Sequence, residues 1–450
     1  MQNLRRAFWG SLAALALLWL IAEPQLLGPG SFFPLRERMV QLSGVLAIGC
    51  MSMAMILALR PRWPEAWLGG LDKMYRLHKW FGITALTTAV VHWLWANGPK
   101  WAVGWGLLAR PERGARRSIE SPIEGVFSSL HGSAEGLGEW AFYGTVVLIA
   151  LALVQLFPYR FFYKTHRLLA IAYLVLVFHA VTLMKFSYWM SPLGWILGAL
   201  FAYGAWGAVV ALLRRIGAGR QIKGRITSLK YYPGVRAIET EIEVPRGWRG
   251  HKPGQFAFAM SNLSEGAHPY TIASGWNAQD PRITFITKER GDHTSRLKEK
   301  LCLGQEVKVE GPYGCFTFDD NCAHQIWIGG GIGITPFIAR MKELSMLKGT
   351  SGVGIPPRVH LFHTTADVDE EALRKLAADA RSADVHLHVL IDTRDGRLSG
   401  ERIREVVPEW RTASIWFCGP TAFGEALKQD FGAHGFRVKE RFHQELFAMR

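Results

Sequence analysis

Apolar residues in the first half of the chain gather in six long runs, which polar residues separate. Each run approaches the roughly 20 residues that a helix needs to cross the hydrocarbon core of a bilayer. The first run follows Arg5 and Arg6, as in a secretory signal peptide, but the five further runs favour a retained helix. We expect membrane spans near residues 7–27, 39–59, 74–97, 139–157, 161–184 and 193–213.

The pattern changes after Arg220, where short alternating segments with turn residues replace the long runs. Alternation with a period of two predicts half-buried strands, and residues 236–244 are an example. From Gln325 onward, strand-like and helix-like segments follow each other in turn, which favours a parallel, doubly wound sheet. We expect a multidomain membrane protein with a six-helix transmembrane bundle at 1–215, an antiparallel β-barrel domain at 221–320 and an α/β domain at 322–450.

Charge and cysteine content refine this picture. The net charge is +15, and much of the lysine and arginine lies between the apolar runs, which favours a membrane protein over a nucleic-acid-binding one. Basic residues concentrate in cytoplasmic loops, so their placement puts both termini in the cytoplasm. The segment 98–138 disagrees, because an outer loop is expected there and it carries Lys100 and four arginines. The five cysteines form no C-x-x-C motif, so neither a zinc site nor a disulfide framework is predicted.

Four histidines lie within or at the ends of two expected spans: His78 and His92 in the third, His166 and His179 in the fifth. Ionisable residues in membrane helices are costly and mostly functional, although a lone histidine could simply hydrogen-bond a neighbouring helix. Both spans run in the same direction, so His78 and His166 should share the inner leaflet, and the other two the outer leaflet. Two such pairs predict two haems, each held by two neutral imidazoles.

The spacing of these histidines favours two haems stacked across the bilayer. Separations of 14 and 13 residues correspond to about 21 and 20 Å along a helix. Fourteen residues return to within about 40° of the same helix face, whereas 13 residues miss it by about 140°. The fifth span would therefore need a bulge or kink, or the haems would need different azimuths. His131, in the long outer loop, is left unassigned.

Three short segments of the barrel region suggest a ligand site. The first, HPYTIAS at 268–274, is by itself only a strand with an early proline. The second, 288–294, offers Gly291 and Thr294 in a turn before a helix, whose N-terminus suits a pyrophosphate. The third, 311–314, is a glycine–proline turn that lets backbone approach a ligand closely. Each is weak alone, and their order along the chain is what indicates one site.

The α/β region holds the clearest glycine signal. An apolar strand at 326–328 leads into Gly329, Gly330, Gly331 and Gly333, after which Thr335 and Pro336 start a helix. Such a turn can hold a diphosphate, although it departs from the G-x-G-x-x-G fingerprint. A second buried strand leads to Cys418, Gly419 and Pro420 at the same edge of the sheet, where they could flank a nicotinamide. The plainer alternatives are an ordinary strand–helix turn and a small buried cysteine.

Together these residues resemble those of a known family. The four histidines look like the ferric reductase transmembrane domain shared by ferric reductases and NADPH oxidases. The second half is similar to their dehydrogenase domain, itself similar to ferredoxin–NADP reductase. The resemblance covers nearly the whole chain and implies FAD, two b-type haems and NADPH or NADH as cofactors. It assigns His268, Pro269, Tyr270, Thr271 and Ser274 to the flavin, Gly291, His293 and Thr294 to its pyrophosphate, and residues 329–336 and 418–420 to the nicotinamide nucleotide. The candidate catalytic residues are Thr271, Cys418 and Phe447.

Two features of the resemblance concern the flavin ring and the nucleotide. Family members cover the flavin with an aromatic residue near the C-terminus, for which Phe447 is the first candidate here and Phe442 the second. Where the family often has an arginine for a 2′-phosphate, this chain has HTT at 363–365. Arg394 or Arg397 could serve instead, so the resemblance leaves both NADPH and NADH open.

The expectation that follows is an enzyme of the NAD(P)H oxidase or ferric-chelate reductase type. It would move electrons from cytoplasmic NAD(P)H through FAD and two haems to an external acceptor, either oxygen, giving superoxide, or a ferric chelate. The alternatives are a haem-bearing membrane donor to a periplasmic partner enzyme and, less favoured, a six-span transporter with a nucleotide-binding regulatory domain. We expect a multi-pass protein of the bacterial inner membrane with a cytoplasmic dehydrogenase domain, in contact with the lipid bilayer and with no nucleic acid.

Overall fold

The protein is described by a computed structural model that covers residues 2–23, 32–109, 122–154, 156–157, 159–245, 247–261, 266–291, 293–348 and 357–445. One compact unit of the chain ends at Ile216, and a second begins at Gly217. Within these ranges the first unit is helical, and the second contains the strands.

The first unit is built from the helices α1 Gln2–Ala22, α2 Phe32–Ala58, α3 Glu65–Leu68, α4 Leu71–Gly104, α5 Pro122–Leu153, α6 Tyr159–His166, α7 Leu169–Leu183 and α8 Pro192–Leu212. Each of the six expected spans coincides with one of these helices or, for the fifth, with the pair α6 and α7. In the described part of the chain, five segments are long and apolar enough to cross a membrane: α1, α2, α5, Phe161–Leu183 and α8. Helix α4 is long enough, with 34 residues, but is not among the five. Six crossings therefore stay a prediction.

Two helices extend beyond the bounds that hydropathy predicts. Helix α4 continues to Gly104 rather than ending near residue 97, and α5 begins at Pro122 rather than near 139. Much of the expected loop is therefore helical, and His131 lies on α5. Hydropathy detects the apolar part of a helix, whereas the backbone hydrogen bonds continue into its polar end. The four arginines expected in this loop lie outside the described residues.

The fifth expected span is interrupted between its two histidines. Helix α6 ends at His166 and α7 begins at Leu169. Through the break, the N–H groups of Leu168, Ala170 and Ile171 each donate to the carbonyl three residues earlier. Such tighter turns advance each residue by about 120° instead of about 100°. The break thus turns His179 toward the side of His166, which removes part of the 140° mismatch in the sequence spacing.

Helix α4 is held at its far end by an arginine from α2. Pro99 lies inside α4 and has no N–H group to donate to the carbonyl of Trp95. Arg36 supplies the missing donors: its Nε is 3.1 Å from the Trp95 carbonyl oxygen, and its Nη2 is 2.8 Å from that of Ala96. The guanidinium therefore supplies a donor to the Trp95 oxygen, which the proline leaves without its helical partner, and adds a bond to the Ala96 oxygen.

The second unit begins with an antiparallel sheet of six strands: β1 Gln221–Tyr232, β2 Ala237–Glu243, β3 Phe256–Met260, β4 His268–Thr271, β5 Arg282–Lys288 and β6 Glu306–Tyr313. Their order is β4-β3-β6-β1-β2-β5. The two end strands approach each other through a single bridge between Ile272 and Phe285. Alternating side chains such as Ile226, Ile242 and Val309 fill the core on one face. The antiparallel sheet is as predicted from the alternation.

A parallel sheet of five strands follows: β7 His324–Gly330, β8 Arg358–Thr365, β9 Val385–Ile391, β10 Ser414–Cys418 and β11 Phe442–Gln444. The order β11-β10-β7-β8-β9 has a switch point between β7 and β10, where successive connections leave in opposite directions. The helices are α9 Leu297–Lys300, α10 Thr335–Leu347, α11 Glu370–Ser382, α12 Asp392–Asp395, α13 Gly400–Val406, α14 Thr421–Ala433 and α15 Val438–Arg441. In β7, Ile326, Trp327 and Ile328 are all fully buried, which explains its unbroken apolar run.

Candidate functional site

The four histidines of the first unit form two facing pairs. The ring centroids of His78 and His166 are 5.9 Å apart with planes at 64°. Those of His92 and His179 are 6.3 Å apart with planes at 83°. A ligating imidazole nitrogen lies about 2 Å from its metal and about 1 Å from its own ring centre, so two imidazoles on one iron have centroids about 6 Å apart. Both pairs have the separation that an iron held between them requires.

Backbone carbonyls orient three of the four rings. The Nδ1 atoms of His78, His92 and His179 lie 2.9, 2.9 and 2.8 Å from the carbonyl oxygens of Ala54, Val40 and Ala134. A carbonyl oxygen can only accept, so each Nδ1 carries the proton and donates. The lone pair is then on Nε2, the nitrogen left for a metal. Metal-ligating histidines are typically fixed by such a bond from their other nitrogen.

Glycines on neighbouring helices make room for two of these rings. A Cβ built on Gly44 of α2 would lie 3.2 Å from Cε1 of His92, and one on Gly138 of α5 would overlap the His179 ring. His131 is exposed on α5, one turn from Ala134, and no ring contact or hydrogen bond of its side chain is seen among the described residues. The pairing thus leaves His131 outside the two sites.

In the second unit, the fold brings the predicted flavin segments together. The rings of His268 on β4 and His293 in the turn after β5 stack with centroids 3.7 Å apart and planes at 13°. The Tyr270 hydroxyl is 2.9 Å from Nε2 of the same His293. In that turn, Oγ1 of Thr294 accepts hydrogen bonds from the N–H groups of Arg290 and Gly291, at 2.8 and 3.2 Å. Two segments that are weak signals in sequence therefore form one surface.

Strand β3 joins the third segment to the first. Phe256 pairs with Thr271 at the end of β4 on one side and with Tyr313 of β6 on the other. Thr271 is half-buried. Ser274, by contrast, is buried: its hydroxyl accepts from the Thr284 N–H at 3.1 Å, and its carbonyl accepts from Nε2 of His251 at 3.0 Å. The polar groups of Ser274 are thus engaged within the protein.

The two turns of the parallel sheet meet at its switch point. Cys418 at the end of β10 pairs with Gly329 at the end of β7. A Cβ on Gly333 would overlap the Cys418 carbonyl, and one on Gly330 would lie 3.0 Å from Cδ of Pro420. Only glycine permits this backbone contact at the carboxyl edge, where parallel sheets bind ligands. Cys418 is buried, and burial raises the pKa of its thiol above the usual range, so it is a neutral thiol.

The sequence does not predict a further residue near Cys418, the buried carboxylate of Glu445. Glu445 follows β11, is 5% exposed, and has an Oε1 atom 3.4 Å from where a Cβ on Gly314 would stand. After burial, its charge is the second cause that raises the Cys418 pKa. The sequence signal for Glu445 is its place two residues before Phe447, the aromatic residue expected at the flavin. Phe447 itself lies outside the described residues. The second aromatic candidate, Phe442, packs in the core with Phe417.

Most of the positions considered for a 2′-phosphate already bond to neighbouring groups of the protein. His363 is buried with Nδ1 3.1 Å from the Gly329 carbonyl oxygen, and burial lowers its pKa, so it is a neutral ring. Thr364 donates to Asp392 at 2.8 Å. Arg394 donates to both oxygens of Asp395 at 3.0 Å. Arg397, the other arginine considered, is exposed and makes no side-chain hydrogen bond or ion pair among the described residues, so a 2′-phosphate contact from Arg397 stays a prediction.

Known proteins match both halves of the chain. Residues 43–177 match the family of ferric reductase like transmembrane components, and residues 222–317 match an FAD-binding domain. The chain is similar to a heavy chain of the superoxide-generating NADPH oxidase of Dictyostelium discoideum, with 24% identity over 71% of this chain and 65% of that protein. It is similar to ferric reduction oxidase 8 of Arabidopsis thaliana, with 26% identity over 67% of this chain and 39% of that protein.

Other relatives match about half of the chain. The glycine betaine monooxygenase reductase subunit of Chromohalobacter salexigens is 28% identical over 44% of this chain and 56% of its own length. The chain thus spans little more than half of that relative. Among solved structures, the FAD/NAD-binding domain of a Vibrio cholerae nitric oxide dioxygenase is 16% identical with a TM-score of 0.43, over 50% of this chain and 98% of that one. The chain thus joins a region that matches ferric reductase like transmembrane components to a region that matches an FAD-binding domain, and it is similar to a ferric reduction oxidase and to a superoxide-generating NADPH oxidase.

Proposed function

We propose that this protein moves electrons across a membrane, from NAD(P)H through FAD and two b-type haems to an acceptor on the far side. The observation that carries the proposal is the pair of facing histidine couples, at 5.9 and 6.3 Å between ring centroids. Their separation along α4, 14 residues or about 21 Å, would divide the thickness of a bilayer into short electron transfers.

The haem ligands would be Nε2 atoms. His78 and His166 would hold one haem, and His92 and His179 the other. Proton donation from Nδ1 to a backbone carbonyl holds the rings of His78, His92 and His179 in the tautomer that ligation needs. The glycines at 44 and 138 would let the neighbouring helices approach the rings of the second pair without displacing them.

The dehydrogenase half would hold the other two cofactors. When bound, the nicotinamide nucleotide would supply a hydride to the flavin, which would release it as two single electrons and a proton. The surface formed by His268, Tyr270 and His293 would contact the flavin, with Thr271 near its reactive edge. The N–H groups of the glycine turn at 329–333 would hold the nucleotide diphosphate. Cys418, kept as a neutral thiol, would contact the nicotinamide, and the charge of Glu445 would help to keep that thiol neutral.

The acceptor and the location are further parts of the proposal. Oxygen and a ferric chelate are the two acceptors we propose, in line with the names of the two long relatives. A protein partner that takes electrons on the outer side is an alternative, and turnover with neither small acceptor would favour it. The basic residues between the spans support a cytoplasmic dehydrogenase domain, and we propose the bacterial inner membrane as the site.

A reduced-minus-oxidised optical spectrum of the purified full-length protein tests the proposal. NADH and NADPH are added in separate samples under argon, and oxygen or a ferric chelate follows. Sharp b-type haem bands with either nucleotide, bleached by one acceptor, are the expected result. A folded protein, produced with haem available, that shows no haem bands would overturn the relay and return the four histidines to structural roles.

A further inference from the structure

The four candidate haem ligands differ in the hydrogen bonds of Nδ1, the ring nitrogen that would not face the iron. Nδ1 of His92 lies 2.9 Å from the Val40 carbonyl oxygen and also 3.3 Å from Oγ of Ser43. His179 and His78 have one carbonyl acceptor each. Nδ1 of His166 is buried and has no hydrogen-bond partner among the described residues. The second pair thus has three acceptor atoms and the first pair has one.

The Ser43 hydroxyl can only be an acceptor toward His92. Its single proton points back along α2, because Oγ lies 2.6 Å from the Met39 carbonyl oxygen. A lone pair of Oγ then faces the proton on Nδ1 of His92, which the Val40 carbonyl shares. Ser43 is buried, so water does not compete with its hydroxyl as an acceptor for His92. Among the described residues, the ring of His92 is therefore the one of the four with two acceptors for its Nδ1 proton.

The ring of His166 is oriented by aromatic stacking instead of a hydrogen bond. Its ring stacks on Phe162, one helical turn earlier on α6, with centroids 5.0 Å apart and planes at 22°. Stacking fixes the plane of a ring without withdrawing its proton. A proton shared with an acceptor gives an imidazole more imidazolate character and makes it a stronger donor to iron. A stronger donor favours ferric over ferrous iron, which lowers the reduction potential of the haem.

We infer that Ser43 is a positioning residue that makes the haem between His92 and His179 harder to reduce than the haem between His78 and His166. The inference rests on the proposed function, since it requires both haems. The asymmetry is built into α2, which approaches one pair with a carbonyl and a hydroxyl and the other pair with the Ala54 carbonyl alone.

An optical redox titration of the full-length protein tests this inference, with haem content measured first. Ser43→Ala removes the hydroxyl acceptor and leaves the Val40 carbonyl. Ser52→Ala is the matched control, because Ser52 is also buried on α2 and bonds Ile48 and Tyr173 rather than a histidine. Ser43→Thr keeps a hydroxyl and tests for rescue.

In the wild type, the titration should resolve two haems with different midpoint potentials. Ser43→Ala should raise the lower midpoint potential and leave the higher one unchanged. The shift should correspond to at least about a twofold change in the ferrous-to-ferric ratio at fixed potential. Ser52→Ala should change neither midpoint potential, and Ser43→Thr should stay near the wild type. Two haems with unchanged midpoint potentials in Ser43→Ala, or with equal shifts of both, would overturn the inference and leave the relay standing. A wild-type protein without haem would instead overturn the proposed function.

Discussion

Gly138 of α5 and His179 of α7 occupy adjoining space so closely that a Cβ on the glycine would overlap the imidazole. The carbonyl of Ala134, one turn earlier on the same helix, accepts the proton of the same ring at 2.8 Å. Helix α5 therefore both contacts and orients one member of the His92–His179 pair. Because of this contact, a single methyl group added at Gly138 should disturb haem binding between His92 and His179.

Gly138→Ala should remove one haem and leave the other. The added methyl group has no free space and would push the His179 ring out of line with His92. We expect haem content, measured as the pyridine adduct, to fall from two per chain to about one. Gly136→Ala on the same helix is the control, since nothing lies within 4 Å of its Cβ position. Equal haem content in both variants would contradict the assignment of this site.

His92→Ala should abolish the same haem while NAD(P)H-to-dye activity survives, because a dye accepts electrons directly from the flavin. Activity with the external acceptor should fall to background. His131→Ala is the control, because His131 is exposed on α5 and belongs to neither pair. Loss of dye activity together with the haem, in folded protein, would count against the predicted order of electron transfer.

Gly333→Ala should impair use of the nucleotide. Its Cβ would overlap the carbonyl of Cys418, so the turns after β7 and β10 would have to separate. Misplacement of reacting groups by about 1 Å can cost on the order of 100-fold in rate. We expect a loss of that order in kcat/KM for NAD(P)H in protein that still carries FAD. Gly432→Ala, whose Cβ would make an ordinary 3.6 Å contact with Val438, should have little effect.

Arg36→Met should destabilise the membrane domain through Pro99. The Trp95 carbonyl would lose its donor, and leaving a partly buried acceptor unsatisfied costs about 1 kcal/mol. Pro99→Ala restores a backbone N–H at the position that serves Trp95. Thermal unfolding of the four proteins of this double-mutant cycle should show a smaller effect of Arg36→Met in the Pro99→Ala background. Strictly additive effects would contradict this account of the contact.

The second unit should lose stability in mild acid because of His251. Burial lowers the pKa of His251 from 6.5 to about 4, and the ring donates to the Ser274 carbonyl. Below pH 6.5 His251 is protonated in the unfolded chain but stays neutral in the folded protein. The free energy of unfolding is therefore highest above pH 6.5 and decreases as the pH falls toward 4. The loss approaches about 3 kcal/mol. Flavin-release melts between pH 7 and pH 4.5 should be less pH-dependent in His251→Gln; an identical slope would exclude His251 as the cause.

The sequence is sufficient for features that composition and periodicity encode locally. Long apolar runs predict the helices, and the paired histidines predict two facing couples, which the structure brings within 5.9 and 6.3 Å. The spacing of His166 and His179 even indicates an irregularity in the fifth span, which appears as the break before Leu169. The helix ends at Gly104 and Pro122 were misjudged, because backbone hydrogen bonding continues where hydropathy falls.

By itself, then, the sequence determined which residues are candidates for binding iron, flavin and nucleotide, because histidines in membrane spans and glycine-rich turns after strands are uncommon. The tertiary structure decided what surrounds them. The carbonyls that orient His78, His92 and His179 lie 24, 52 and 45 residues away along the chain. Every residue has a carbonyl, so nothing in the sequence distinguishes those of Ala54, Val40 and Ala134. Only the packing of α2 and α5 against the histidine-bearing helices selects them.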